Sequence, residues 1–163
     1  MDILYYHIDA FTGTAFAGNP AGVCFLEEWP EDQTLQSLAA ENCLPETAFL
    51  VLADGHYDLR WFSPTMEIDL CGHATLASAH AIFEYIDPET EHVVFQTGSG
   101  MLSVERLGDL LVLDFPTRSP KPCQPPDQLG EILGATPSET LLARDLLVVY
   151  DNEEQVRNLS PDF

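Results

Sequence analysis

The chain has 163 residues, 45% of them hydrophobic and 10% aromatic, so it is long enough and apolar enough to bury a core and is not a disordered acidic tail. Six Lys and Arg stand against 27 Asp and Glu, a formal charge of −21 that repels phosphate backbones and anionic headgroups and argues against nucleic acid and membrane surfaces as partners. The acids are scattered without metal-loop spacing, which fits a solubilising surface, suited to a salty medium, better than a cation site.

In chain order, residues Ile3 to Asp9 read as a first strand and Ala21 to Leu26 as a second, separated by the Gly18-Asn19-Pro20 turn. "EDQTLQSLAAEN" has an acidic first turn and apolar Leu35, Leu38 and Ala39 at helical spacing, which predicts a short amphipathic helix. "TAFLVLA" and "YDLRWFS" are strand-like runs around an Asp54-Gly55 hairpin signal. From Ala74 to Ile86 apolar side chains point almost every way around a helix, and such a helix is buried. "HVVFQT", "MLSVERL" and "LLVLDF", punctuated by Gly98-Ser99-Gly100 and Gly108-Asp109, predict a three-stranded meander.

These elements predict an α+β fold of mostly antiparallel strands curled around a buried central helix. Residues 1–116 are expected to form this first unit, the proline-dense 117–126 a linker, and 127–163 the start of a second unit. Within the last segment, "PDQLGEILG" and "NEEQVRNL" read as short helices and "LLVVY" as a strand, too few to close a core of their own. Four cysteines, Cys24, Cys43, Cys71 and Cys123, lack CxxC spacing, so zinc-finger and thioredoxin motifs are absent. With no basic-then-apolar leader and no run near the roughly 18 apolar residues of a membrane span, a reduced, cytoplasmic protein is the expectation.

One stretch draws attention chemically: "DLCGHATLASAHAIFEY" sets an uncharged Cys-Gly-His-Ala-Thr run just before the apolar helix. Backbone N–H groups at that terminus, with the positive end of the helix dipole behind them, suit an anion, and Gly72 lets the anion come close. His73 there is a group able to donate or accept a proton near neutral pH. On local sequence, Gly72 reads equally as a turn residue and His73 as a capping side chain. Glu46, in "LPETAFL", sets one carboxylate at the mouth of an apolar strand, where it is a candidate general acid or base or else an ordinary strand-edge glutamate. Cys71 beside the helix terminus is a candidate low-pKa thiol or a buried structural cysteine. His80 reads as a core histidine, and Cys24, Cys43 and Cys123 as structural.

Taken together, "DAFTGTAFAGNPAGVCFL", "LPETAFL", "IDLCGHATLASAHAIF" and "NLSPDF" resemble, in order and separation, the PhzF (phenazine-biosynthesis-like) isomerase family, related in fold to diaminopimelate epimerase. The resemblance runs along the whole chain and matches the N-terminal part of that family. It implies two similar halves, each of mostly antiparallel strands around a central helix, with the active site between them. It further implies proton transfer on a small carboxylate-bearing substrate without metal or organic cofactor; a homodimer is the protein partnership to expect. Carried over by motif, Glu46 and His73 are catalytic, Gly72 lines the substrate, the amides toward Ala74 and Thr75 hold its carboxylate, and Asn19 orders the site. The second half is expected to lie outside these residues, leaving the isolated chain weakly active or inactive. The alternatives are a Cys71-based racemase or epimerase and a non-catalytic, self-associating relative.

Overall fold

The computed structural model describes residues 3–161. The chain divides into two compact units, 1–115 and 116–163. Asp162 and Phe163, the last residues of the "NLSPDF" motif, lie outside the described residues.

In the first unit β1 (Leu4–Ala10) pairs antiparallel with β2 (Asn19–Leu26), Leu4 opposite Phe25 and Ala10 opposite Asn19. Helix α1 (Asp32–Asn42) then returns the chain so that β3 (Glu46–Ala53) lies parallel to β2, with Ala21 beside Glu46. Strand β4 (His56–Phe62) closes a hairpin on β3, and Gly55 takes the left-handed φ of +78° that its Asp-Gly turn requires. A two-residue strand, β5 (Glu67–Ile68), pairs with the end of β4 and leads into α2 (Gly72–Ala81). Strands β6 (His92–Thr97), β7 (Gly100–Leu107) and β8 (Leu110–Asp114) form the expected meander, and β6 joins β4 in parallel over Tyr57–Asp58.

The sheet order is β1-β2-β3-β4-β6-β7-β8, with β5 on β4. Helix α2 packs against β1, β2 and β3 and also against β8, the other end of the sheet, so the strands curl round it as a half-barrel. Small residues permit this: Ala74, Ala77, Ala79 and Ala81 are all buried, and strand backbones approach the helix closely on several sides.

Alternation along the strands decides which layer each side chain joins. Val23, Ala48, Leu50, Leu59 and Trp61 face α2 inside the curl, whereas Cys24, Leu26, Phe49 and Phe62 face outward to Leu35 and Ala39 of α1. The central strands are thus buried on both faces, which is why "TAFLVLA" is a continuous apolar run. Arg60, on the outer face, binds Glu67 at 2.7 Å and Asp32 at 2.8 Å, tying β5 and the first turn of α1 to β4.

One helix expected over Ala74–Ile86 is two elements. The α-helix stops at Ala81, and Ile82–Ile86 form a π-helical turn closed by Asp87 N–H donating to the Ile82 carbonyl at 2.8 Å. The wider turn changes the phase of the apolar face: Phe83 stays buried, while Tyr85 swings out to stack on Tyr6 at 4.9 Å and Ile86 becomes exposed.

The second unit holds β9 (Lys121–Pro122), α3 (Leu129–Leu133), β10 (Glu139–Leu142), β11 (Leu146–Val149) and α4 (Glu153–Arg157), with sheet order β11-β10-β9. The proline-dense stretch expected as a linker therefore contributes a strand, because Pro122 at the sheet edge needs no N–H of its own. Helix α4 is capped by Asn152, whose side chain accepts from Gln155 N–H at 2.9 Å. Thr140 alone is buried in this unit among the described residues.

Candidate active site

Two chain segments meet at the mouth of the half-barrel. Glu46 is the first residue of β3, and Cys71 and His73 stand at the N-terminus of α2, Cys71 as the N-cap. One donor atom from each of the three lies within 4.8 Å of the others. Glu46 Oε2 is 3.2 Å from His73 Nε2, and His73 Nδ1 is 3.5 Å from Cys71 Sγ. His73 therefore bridges a carboxylate and a thiol through its two ring nitrogens. The Glu46 contact is close but poorly aligned, since Nε2 is buried and makes no directed hydrogen bond among the described residues.

The segments are held from several sides. Asn42 Nδ2 donates to Thr47 Oγ1 at 3.1 Å, anchoring the start of β3 to the end of α1. Ser99 Oγ donates to the Asp69 carbonyl at 2.7 Å, pinning the loop before α2. The Phe115 ring lies 3.3 Å from where a Cβ on Gly72 would sit, so the backbone there is tightly covered. Inside α2, Thr75 Oγ1 donates to the Cys71 carbonyl at 2.6 Å and Ser78 Oγ to the Ala74 carbonyl at 2.7 Å, which satisfies both buried hydroxyls.

Burial sets the electrostatics. It pushes the His73 pKa below its ordinary value, against the opposing pull of the Glu46 carboxylate and the Pro20 carbonyl beside the ring. The imidazole is accordingly neutral at pH near 7. Burial also pushes the Cys71 thiol up to about 11, with the Ala74 amide opposing and the Glu46 charge adding. A helix terminus beside Cys71 is expected to lower its pKa; the apolar surroundings outweigh that effect, and the thiol stays protonated.

The remaining sequence candidates are distributed around this centre. Asn19 opens β2, and the next residue, Pro20, brings its carbonyl to His73. Ala74 and Thr75 are fully buried. The Thr75 N–H is engaged at 3.4 Å by the Cys71 carbonyl, and the amides of His73 and Ala74 are directed at the Cys71 sulfur. His80 lies seven residues beyond His73 on the same helix and takes no part in the cluster.

Two residues escaped the sequence reading. Pro20 acts through its carbonyl, which leaves no side-chain signal. Phe16 is fully exposed at φ +65°, in a loop where Phe11 also has φ +63°, and the Asp9 carboxylate holds that conformation by accepting the Phe16 N–H at 3.2 Å. A hollow of about 450 Å3 opens beside this loop, lined by His7, Asp9, Phe16, Pro20 and Leu44. A larger one, about 500 Å3, runs beside Leu76 and His80 and is not lined by Glu46, Cys71 or His73. The smaller hollow is likewise not lined by Glu46, Cys71 or His73, and is connected to them only through Pro20, whose carbonyl lies beside the His73 ring.

Sequence comparison decides the family. The model of the phenazine biosynthesis-like protein family, PhzC-PhzF, matches residues 8–163. The chain belongs to this family. It is 49% identical over its whole length to an uncharacterized isomerase of Pseudomonas aeruginosa, spanning 63% of that protein. It is 38% identical to phenazine biosynthesis-like domain-containing protein 1 of Mus musculus, covering all of this chain and 59% of the mouse protein. The crystal structure of a PhzF-family protein from Enterococcus faecalis superposes with a TM-score of 0.92 at 42% identity, over 99% of this chain and 62% of that one. A predicted epimerase from Pseudomonas aeruginosa, at 18% identity and TM-score 0.73, shares the fold. The PhzF-family chain described here thus has an epimerase-like fold and close relatives named isomerases, and it spans less than two thirds of their length.

Proposed function

We propose that this chain carries the acid/base wall of a PhzF-type isomerase that moves a proton between carbons of a small carboxylate-bearing metabolite. The observation that carries the reading is the Glu46–His73 pair, 3.2 Å apart, at the N-terminus of a rigidly packed helix. In this reading Glu46 removes a proton from carbon and returns it at another position, a task that one carboxylate in a largely dry cleft performs in both directions. Charge that develops on the substrate is met by the Gly72 amide and its neighbours at the positive helix terminus. His73, neutral because it is buried, serves as a hydrogen-bonding partner to Glu46 and substrate. A Cys71 base is less well supported, since a thiol pushed up to about 11 is almost wholly protonated near pH 7.

The test is solvent-deuterium uptake into a panel of small unsaturated and hydroxylated carboxylic acids incubated in D2O with the full-length protein, read by mass spectrometry. Glu46→Gln is expected to cut uptake by about 100-fold or more, the usual loss for a general acid/base. Uptake at the wild-type rate in Glu46→Gln would remove Glu46 from the mechanism.

A further inference from the structure

We propose that Glu46, Cys71 and His73 also form a binding site for a thiophilic divalent cation of the Zn2+ class. The donor set is one carboxylate, one thiol and one imidazole, the ligand types zinc takes, gathered from β3 and the first turn of α2 with donor atoms within 4.8 Å of one another. Metal–ligand bonds of about 2.0–2.3 Å place tetrahedral donors roughly 3.3–3.8 Å apart. His73 stands between the other two, its Nε2 3.2 Å from Glu46 Oε2 and its Nδ1 3.5 Å from Cys71 Sγ, and with one ring nitrogen the three donors lie within 4.8 Å, so a common ion requires the widest pair to draw closer. The two short contacts use opposite ring nitrogens; one of them ligates, and a turn of the ring brings it between the other two donors.

The state of the His73 ring adds a second observation. The His73 side chain is 9% exposed, and its Nε2 points at the Glu46 carboxylate 3.2 Å away in a contact too poorly aligned to be a directed hydrogen bond. A buried ring nitrogen held in so poorly aligned a contact is incompletely satisfied, and a Lewis acid would offer it a directed bond. Three protein ligands leave a fourth position open, and the Glu46 side, the least buried of the three, is where water would enter. Binding replaces the thiol proton, which leaves to solvent as the Cys71 sulfur–metal bond forms, so one proton is released per ion.

The consequence is inhibitory. A metal-loaded chain has neither a free Glu46 carboxylate nor a free imidazole, so the ion and the substrate compete for the same groups. That consequence rests on the proton-transfer reading; the binding does not.

Cobalt tests binding alone. Titrating the reduced, metal-free chain with Co2+ should give a thiolate-to-cobalt absorption band that saturates at one ion per chain and is bleached by Zn2+. The band should persist in a Cys43→Ser, Cys123→Ser background and vanish in Cys71→Ser. Glu46→Gln and His73→Asn should each weaken cobalt binding about tenfold or more, a loss seen even for groups that merely support a ligand; these two variants decide the matter if circular dichroism finds Cys71→Ser unfolded. No band, a band that survives Cys71→Ser, or unchanged affinity in both Glu46→Gln and His73→Asn would overturn the site. A chain that binds cobalt as described while Glu46→Gln leaves deuterium uptake intact keeps this inference and sinks the catalytic one.

Discussion

Cys71 and His73 lie two positions apart on one helix terminus, and burial moves both toward their uncharged forms. For Cys71 this means chemical quiet. With its thiol pushed up to about 11, it holds roughly 100-fold less thiolate than an unperturbed thiol at the same pH. Iodoacetamide at mildly alkaline pH is therefore expected to label exposed Cys43 first and Cys71 slowly, with labelling of Cys71 rising as pH approaches its pKa. Peptide mass spectrometry reads the order, and prompt Cys71 labelling in the native chain would contradict the buried-thiol account. For His73 the sign runs as a depressed folded pKa dictates. The native state favours the neutral ring, so its contribution to stability is complete above the ordinary value near 6.5 and is lost as pH falls through the lower folded value. The urea midpoint of the wild type should fall more steeply as pH drops below the ordinary value near 6.5 than that of His73→Gln, and parallel curves would refute the assignment.

At the scale of elements, the site depends on how β1 hands the chain to β2. Gly18 has φ +87°, and a Cβ there would lie 2.3 Å from the Ala10 carbonyl and 2.7 Å from the Thr12 side chain. Only glycine combines that backbone conformation with so close an approach. Gly18→Ala is expected to destabilise the first unit by about 2–4 kcal/mol, measured by urea unfolding. Tryptophan fluorescence isolates the effect, because Trp29 and Trp61, the two tryptophans of the chain, both belong to the first unit. An unchanged midpoint would show that the Gly18 turn relaxes freely and does not hold Pro20 against His73. The π-helical turn after Ala81 acts at the opposite end of the same helix. It lets Phe83 fill the core while Tyr85 leaves it, so the half-barrel closes around a helix shorter than the apolar run suggests.

At the scale of the whole molecule, charge dominates. A formal −21 on 163 residues sets carboxylates against one another, with few cations to offset them. Arg60 and Arg106 are held in ion pairs, to Asp32 and Glu67 and to Glu84 respectively, so they neutralise locally and leave the general repulsion in place. Raising NaCl from a few tens of millimolar to about 1 M shortens the screening length to about 3 Å and should raise the thermal midpoint. A midpoint that is flat or falls with salt would mean that local ion pairs outweigh the net repulsion. Among the described residues no helix is long and apolar enough to cross a membrane.

What the sequence determined by itself was whatever depends on near neighbours. Strand alternation, the Asp-Gly hairpin, the meander and the buried helix follow from side-chain period and turn chemistry, and the structure has each within a few residues of its expected place. The family was legible for the same reason, because its motifs are contiguous strings. The short pairings escaped, since Glu67–Ile68, Lys121–Pro122 and Glu139–Leu142 become strands only when a partner strand arrives from elsewhere in the chain. The π-helical turn escaped because periodicity cannot say where packing will shift a helix by one residue. In the site, Glu46 and His73 were visible as residue types, but they are 27 positions apart, and their 3.2 Å contact exists only because β3 and α2 converge at the mouth of the curl. The direction of the Cys71 shift was likewise a tertiary decision. A helix terminus is local and reads as activating, whereas the apolar packing that outweighs it is assembled from several strands at once.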